Sequence, residues 1–209
     1  MTAVATPEGY HRHPNGGGLV ADTASVAPGA YVGLNARIGG NARIGGYAVI
    51  GGNARIEGYA RVYGYAVIGG NAWIGGYAWI SGNARVGGTA QVAGNARIDG
   101  YAQIGGNAYV SGDAQIGGDA EVLTSRHYMT HGPVGSEDRT VTLHRTVGGG
   151  HRIVAGCWDG TCDELAARIA TPKQAWPDAC QADRKRWKAD YEAMLVAFRV
   201  RANEWEAEK

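Results

Sequence analysis

From Val20 to Val122 an aliphatic residue falls on every sixth position without a miss, eighteen in all, running through Val26, Val32, Ile38 and Ile44 to Ile116. Two residues ahead of each, from Val26 onward, stands Ala, from Ala24 to Ala120; two residues behind each, from Ile38 to Ile116, stands Gly, from Gly40 to Gly118. A period of six is neither the 3.6 of an amphipathic helix nor the bare alternation of a plain sheet. It is even, however, so Ala and the aliphatic residue point to one side of a short strand while the residue between them points away. Gly and the following Asn or Tyr then make the bend, because Gly reaches positive φ without a Cβ penalty and Asn at low cost. Repetition at this length predicts a solenoid whose coils bury a face only against their neighbours.

Beyond the last repeat the pattern changes. "RTVTLHRTVGGGHRIVAGCW" alternates apolar and polar residues around Gly148, Gly149 and Gly150, which predicts a β-hairpin. Thr161 followed by Glu164 is a capping-box signature for a short helix through about Ala170. After Pro172 and Pro177, the residues Trp187, Tyr191, Met194, Leu195, Phe198, Ala202 and Trp205 recur at helical spacing, a stripe for a core or a self-contact. The basic run Arg184, Lys185, Arg186 and Lys188 reads as a solvated face. The chain thus divides into an N-terminal arm (1–19), the repeats (20–123), a loop, hairpin and short helix (124–171) and a C-terminal amphipathic helix (172–209).

The motif Ile-Gly-Gly-Asn-Ala-Arg at Ile38 to Arg43 resembles the hexapeptide repeat of left-handed parallel β-helices, as in the hexapeptide transferases. That resemblance implies a mainly β fold, a left-handed parallel β-helix of about six triangular coils with three hexads per coil, followed here by a small α+β module of a hairpin and two helices. It also implies a homotrimer. Left-handedness comes from the resemblance, since parallel crossovers in general favour the right hand. A second resemblance covers the segment after the repeats. Gly132, Pro133, Gly135, Ser136, Gly156, Cys157, Trp158, Gly160 and Thr161 are similar to a C-terminal module behind hexapeptide repeats in phage and prophage proteins. That family carries a basic residue directly after the Ser, whereas Glu137 and Asp138 precede Arg139 here. The implied setting is the cytoplasm of an infected or lysogenic bacterium.

With three hexads per coil, side chains eighteen apart stack in columns. One column is Arg37, Arg55, Trp73, Gln91 and Tyr109; the second is Arg43, Arg61, Trp79, Arg97 and Gln115; the third is Val49, Val67, Arg85, Gln103 and Glu121. A corner carries Asn35, Asn53, Asn71 and Asn107, interrupted by Thr89, whose stacked amides are expected to bond along the column.

Composition changes this picture little. Thirty-five Gly with a single Phe would suggest a low-complexity chain if the glycines had no period. Twenty basic against nineteen acidic residues exclude a globally basic binder of long nucleic acid. No apolar run of about 18 residues and no basic-then-apolar leader occur, so neither a membrane partner nor secretion is expected. Three Cys, an odd number, suit free thiols in a reducing compartment.

Candidate chemistry sits on the columns. Trp73 and Trp79 lie outside a core already supplied with aliphatic residues, and Trp beside Arg suits an interface hot spot or a stacking site for a planar anion. The two are compatible, because hexapeptide transferases place an acyl donor or nucleotide in the groove between subunits. The expected ligand contacts are Arg43, Arg61, Trp79 and Arg97, with Trp73, Arg37 and Arg55, and Gly135, Ser136 and Arg139 at the turn after the repeats. Acyl transfer from coenzyme A needs a general base, usually His, and between His13 and His127 there is neither His nor Cys. His127 and His131 are the alternative bases, but Gly132 and Pro133 follow at once and oppose a helix that would place both on one face. No metal is expected: Cys157, Cys162 and His151 lack the usual closeness of paired ligands, and both thiols are expected in apolar packing. The expectation is a non-enzymatic homotrimeric binding protein of phage type that sequesters a small anionic or nucleotide-like ligand, such as a host defence signal, without a cofactor. The alternatives are an acyl-CoA-dependent transferase and a purely structural rod or virion component.

Overall fold

The structure is a computed structural model that describes residues 6–208. The chain forms two compact units that meet in sequence between Ser125 and Arg126.

The first unit is a parallel β-solenoid of about six turns. Strands β1 (Tyr10–Arg12) and β2 (Leu19–Ala21) precede seventeen two-residue strands, β3 to β19, from Ser25–Val26 to Glu121–Val122. Every third strand joins the same sheet. Face A is β2-β5-β8-β11-β14-β17, face B is β3-β6-β9-β12-β15-β18, and face C is β4-β7-β10-β13-β16-β19. Registers run eighteen residues on, as in Arg37↔Arg55, Trp79↔Arg97 and Gln103↔Glu121, so all three expected columns exist. The stretch expected as an arm contributes to the solenoid instead: β1 pairs antiparallel with β2, Tyr10 opposite Ala21.

Inside the prism the six-residue rule holds nearly throughout. From Ala30 to Val122 every periodic Ala, Val and Ile is buried, while Ala24 and Val26 in the first coil are only half-buried. All but the last two periodic glycines are required twice over. Gly52 has φ +58°, and a Cβ there would stand 2.5 Å from the carbonyl oxygen of Gly70 one coil away. Backbone closes against backbone at these corners, with the Asn53 amide donating to the Gly70 oxygen at 2.7 Å. The Asn corner is a partial ladder: Asn53 Nδ2 donates to Asn71 Oδ1 at 3.0 Å, and Thr89 Oγ1 donates to the Gly106 carbonyl at 3.1 Å.

The second unit places the expected hairpin at the centre of a larger sheet. Strands β20 (Tyr128–Val134), β21 (Arg139–Arg145), β22 (His151–Ala155) and β23 (Trp158–Gly160) pair antiparallel in chain order. Helices α1 (Cys162–Ala170), α2 (Pro172–Ala175) and α3 (Gln181–Ala207) follow, a single turn more of helix than the two expected. The capping box is formed: the Glu164 amide donates to Thr161 Oγ1 at 3.2 Å and the Thr161 amide to Glu164 Oε2 at 2.7 Å. Met194, Leu195, Phe198 and Trp205 of α3 are buried with Val141, Leu143, Ile153 and Leu165, so the helical stripe is core.

Candidate functional site

Face B gathers the strongest concentration of unused charge. Its outward column runs Ser25, Arg43, Arg61, Trp79, Arg97 and Gln115 with no acidic member. Neighbouring strands lie ~4.8 Å apart, so Arg43 and Arg61 stand directly opposite each other, an arrangement of like charges that destabilises a sheet unless an anion intervenes. Among the described residues, Arg43, Arg61 and Arg97 have no ion-pair partner and no side-chain hydrogen bond. Arg61 instead lies 5.6 Å from the centroid of the Trp79 ring. Trp79 is 39% exposed and also meets Tyr63 at 6.1 Å in a tilted pair.

Aromatic rings form the sides of this face. Tyr59 and Tyr77, eighteen apart on one corner, stack at 5.0 Å with 5° between their planes. Tyr63 lies over Gly45, where a Cβ would come within 2.5 Å of the ring, so the glycine leaves room for it. Arg43, Arg61, Asn41, Tyr59, Tyr63 and Tyr77 line an open groove of about 650 Å³. A second depression of about 280 Å³ lies further along, between Trp79, Ser81, Arg97 and Asp99. Burial pushes the Asp99 carboxyl above its ordinary value.

The other expected contacts are elsewhere. Arg37, Arg55 and Trp73 share face A, and two of the three are engaged by the fold. Arg37 lies 4.5 Å over the Tyr10 ring and donates from Nη2 to its hydroxyl at 2.9 Å. The half-buried Trp73 ring lies against Gly75, where a Cβ would stand 2.4 Å from it, and its Nε1 donates to Glu57 Oε2 at 3.5 Å. Ser136 and Arg139 line a cavity of the second unit, beside the turn at Gly135. There Arg139 Nε donates to Glu137 Oε2 at 2.6 Å.

The alternative bases do not converge. His127 closes a short 3-10 turn (Ser125–His127) and is buried, with Nε2 3.9 Å from Glu208 Oε2. His131 is exposed on β20, opposite Val141. The pattern from His127 to His131 is turn then strand, as Gly132 and Pro133 lead one to expect. His151 Nε2 accepts the amide hydrogen of Cys162 at 3.1 Å, which occupies its lone pair in the α1 cap. Cys162 is buried, and its thiol is pushed up to about 11, chiefly by that burial. Cys157, expected in apolar packing, is exposed, because it occupies the turn between β22 and β23. No group of three or more His, Cys, Asp or Glu arranged to hold a metal occurs among the described residues.

The outward columns were legible from the period, but the groove's tyrosines were not singled out. Their signal was present: Tyr59 and Tyr77 obey the same eighteen-residue spacing as the arginines, one corner over. In the second unit, Trp158, Arg168, Trp176 and Tyr191 join Ser136 and Arg139 around the cavity; Tyr191 belongs to the helical stripe, but no period signals that the four converge.

Two stretches of the chain, residues 36–52 and 102–118, match the family model of the YdcK beta solenoid repeat. Each is close to one coil long, and both lie within the solenoid, so the likeness accounts for the coil and extends to neither Arg61 nor Trp79. No curated protein and no solved structure matches the chain.

Proposed function

We propose that the protein is a non-enzymatic binding protein that holds a small anionic, nucleotide-like ligand against face B, and that it acts as a homotrimer. The carrying observation is the set of three guanidinia, Arg43, Arg61 and Arg97, without an ion pair or hydrogen bond among the described residues and in one column with an exposed indole. Arginine offers a planar fork to phosphate and carboxylate, and the Trp79 face offers stacking to a base. For self-association, the first half of face C is apolar: Tyr31, Val49 and Val67 are exposed along it ahead of Arg85, Gln103 and Glu121, with Tyr47 and Tyr65 stacked at 5.6 Å on the adjoining corner. Glycines at 33, 51, 69, 87 and 105 keep that face flat. Packing it against a copy would bury aromatic and aliphatic surface of the kind found at interface centres. The setting in an infected or lysogenic bacterium, with a defence signal as ligand, rests on the resemblance of the C-terminal module to phage proteins.

Calorimetry of the full chain against nucleoside monophosphates and cyclic nucleotides tests this reading, with sedimentation for the trimer. Binding to at least one member, weakened about ten-fold or more by Arg61→Ala as expected for loss of a charge-assisted contact, supports it. Flat titrations across the panel, or a monomer at every concentration, remove it.

A further inference from the structure

Between its sheet and its helices the second unit holds a half-open cavity of about 190 Å³. Its inner wall is apolar: Val134 of β20 with Leu165 and Ile169 of α1, all three buried. Aromatic rings of Trp158, Trp176 and Tyr191 supply the sides. Trp176 and Tyr191 are held by contacts within the unit. Trp176 stacks on Tyr191 at 5.9 Å with 25° between planes and meets Trp187 edge-on at 5.7 Å. Arg184 Nε donates to the Trp176 carbonyl at 2.8 Å, tying the segment after α2 to α3. Gly135, at φ +75°, lets the turn press on Tyr191, since a Cβ there would come within 2.7 Å of its hydroxyl oxygen.

The mouth is polar and carries an excess of positive charge. Glu137 pairs with Arg139, whereas Arg168, in the last turn of α1, has no ion pair or hydrogen bond among the described residues. A half-open cavity with an apolar inner wall, aromatic sides and one guanidinium without an ion pair at its polar mouth matches a ligand with a flat apolar body and an anionic end. Size narrows the class. A cavity of about 150 Å³ lined by apolar side chains is known to take benzene, so this one suits a single aromatic ring and a carboxylate.

We propose that this cavity is a second binding site, independent of face B, for a small aromatic carboxylate. The ring enters among Trp158, Trp176 and Tyr191, and the carboxylate meets Arg168 at the mouth. Nothing in this assignment depends on the solenoid or its ligand.

Ligand-observed NMR titration of the full chain with benzoate and with neutral benzyl alcohol tests it. Benzoate is expected to bind about five-fold more tightly than benzyl alcohol, the scale of one partly exposed ion pair. Arg168→Gln, an exposed substitution on a helix surface, is expected to abolish that preference while leaving benzyl alcohol binding unchanged, and Arg61→Ala on face B is expected to leave both untouched. Equal binding of the two ligands, no binding of benzoate, or a preference that survives Arg168→Gln overturns the proposal. The face B reading stands or falls separately, on nucleotide binding.

Discussion

In the solenoid the parallel strands pair each residue with one eighteen positions on, whereas in the second unit Arg199 reaches Asp163 across 36 residues and Trp205 Nε1 reaches the Arg126 carbonyl across 79. One unit repeats a local rule; the other depends on contacts that no period announces. The consequence shows in what each surface can do. Small Ala, Val and Ile side chains fill the prism and leave three flat faces, so chemistry there is displayed in open columns. The second unit is built around Trp205 and Phe198, which are fully buried, and beside that core a half-open cavity is lined by Trp158, Trp176 and Tyr191. A charged column and an aromatic-lined cavity suit different ligands, a planar anion laid along arginines in one case and a ring inserted among indoles in the other.

The comparison breaks hardest at Phe198. It is completely buried and is the one Phe of the chain, so Phe198→Ala removes a large side chain that the surrounding core cannot replace. A loss of about 3 to 5 kcal/mol is expected for such a deletion. Because α1, α2 and α3 all lie after Arg126, the helical circular-dichroism signal during urea unfolding reports the second unit specifically. A shift of under about 1 kcal/mol would show that this core can collapse around the gap, contrary to close packing.

The solenoid breaks at its corners rather than its centre, and adjacent glycines make the point. At Gly70, with φ +62°, a Cβ would stand 2.6 Å from the Gly88 carbonyl oxygen; at Gly69, one residue earlier, nothing lies within 4 Å of the added carbon. Gly70→Ala is therefore expected to destabilise its coil by about 2 kcal/mol, the scale of a strained left-handed backbone. Gly69→Ala is expected to be neutral. Hydrogen exchange at the amides of Asn71 and Trp73, which donate across to Gly88 and Ala90, reads the effect locally. Equal protection in the two variants would mean that the doubled glycine is merely a compositional habit.

These two sites also show how much was written in the sequence. Gly70 belongs to the period and Phe198 to the helical stripe, so both structural roles were legible in advance. The columns Arg43, Arg61, Trp79 and Arg97 followed from an even repeat and three hexads per coil, and they are strand neighbours in the structure. What escaped was non-periodic. The first strand, Tyr10 to Arg12, has no hexad signature, yet it adds to face A and places Tyr10 on Arg37. The cavity escaped for a similar reason, since Trp158, Arg168, Trp176 and Tyr191 come from β23, α1, the segment after α2, and α3. Their convergence follows from tertiary packing alone.

The finest difference between the two units concerns pH, and it falls on His151. This residue accepts the Cys162 amide through Nε2 at 3.1 Å and so must be unprotonated at that nitrogen. Burial pulls its pKa below the ordinary 6.5, although the carboxylates of Glu206 and Asp163 oppose the shift. Above pH 6.5 both folded and unfolded chains are neutral at this position, and its contribution is fully present. As pH falls below that value the unfolded chain takes up the proton first, so stability declines until the folded-state value is passed and then declines no further. His151→Gln keeps an acceptor oxygen for the α1 amide but cannot titrate. The variant is therefore expected to show a shallower loss of the helical urea midpoint on mild acidification than the parent chain, by less than either substitution above. Identical slopes would mean that the histidine's neutral state contributes nothing to the cap, leaving α1 held by Thr161 and Glu164 alone.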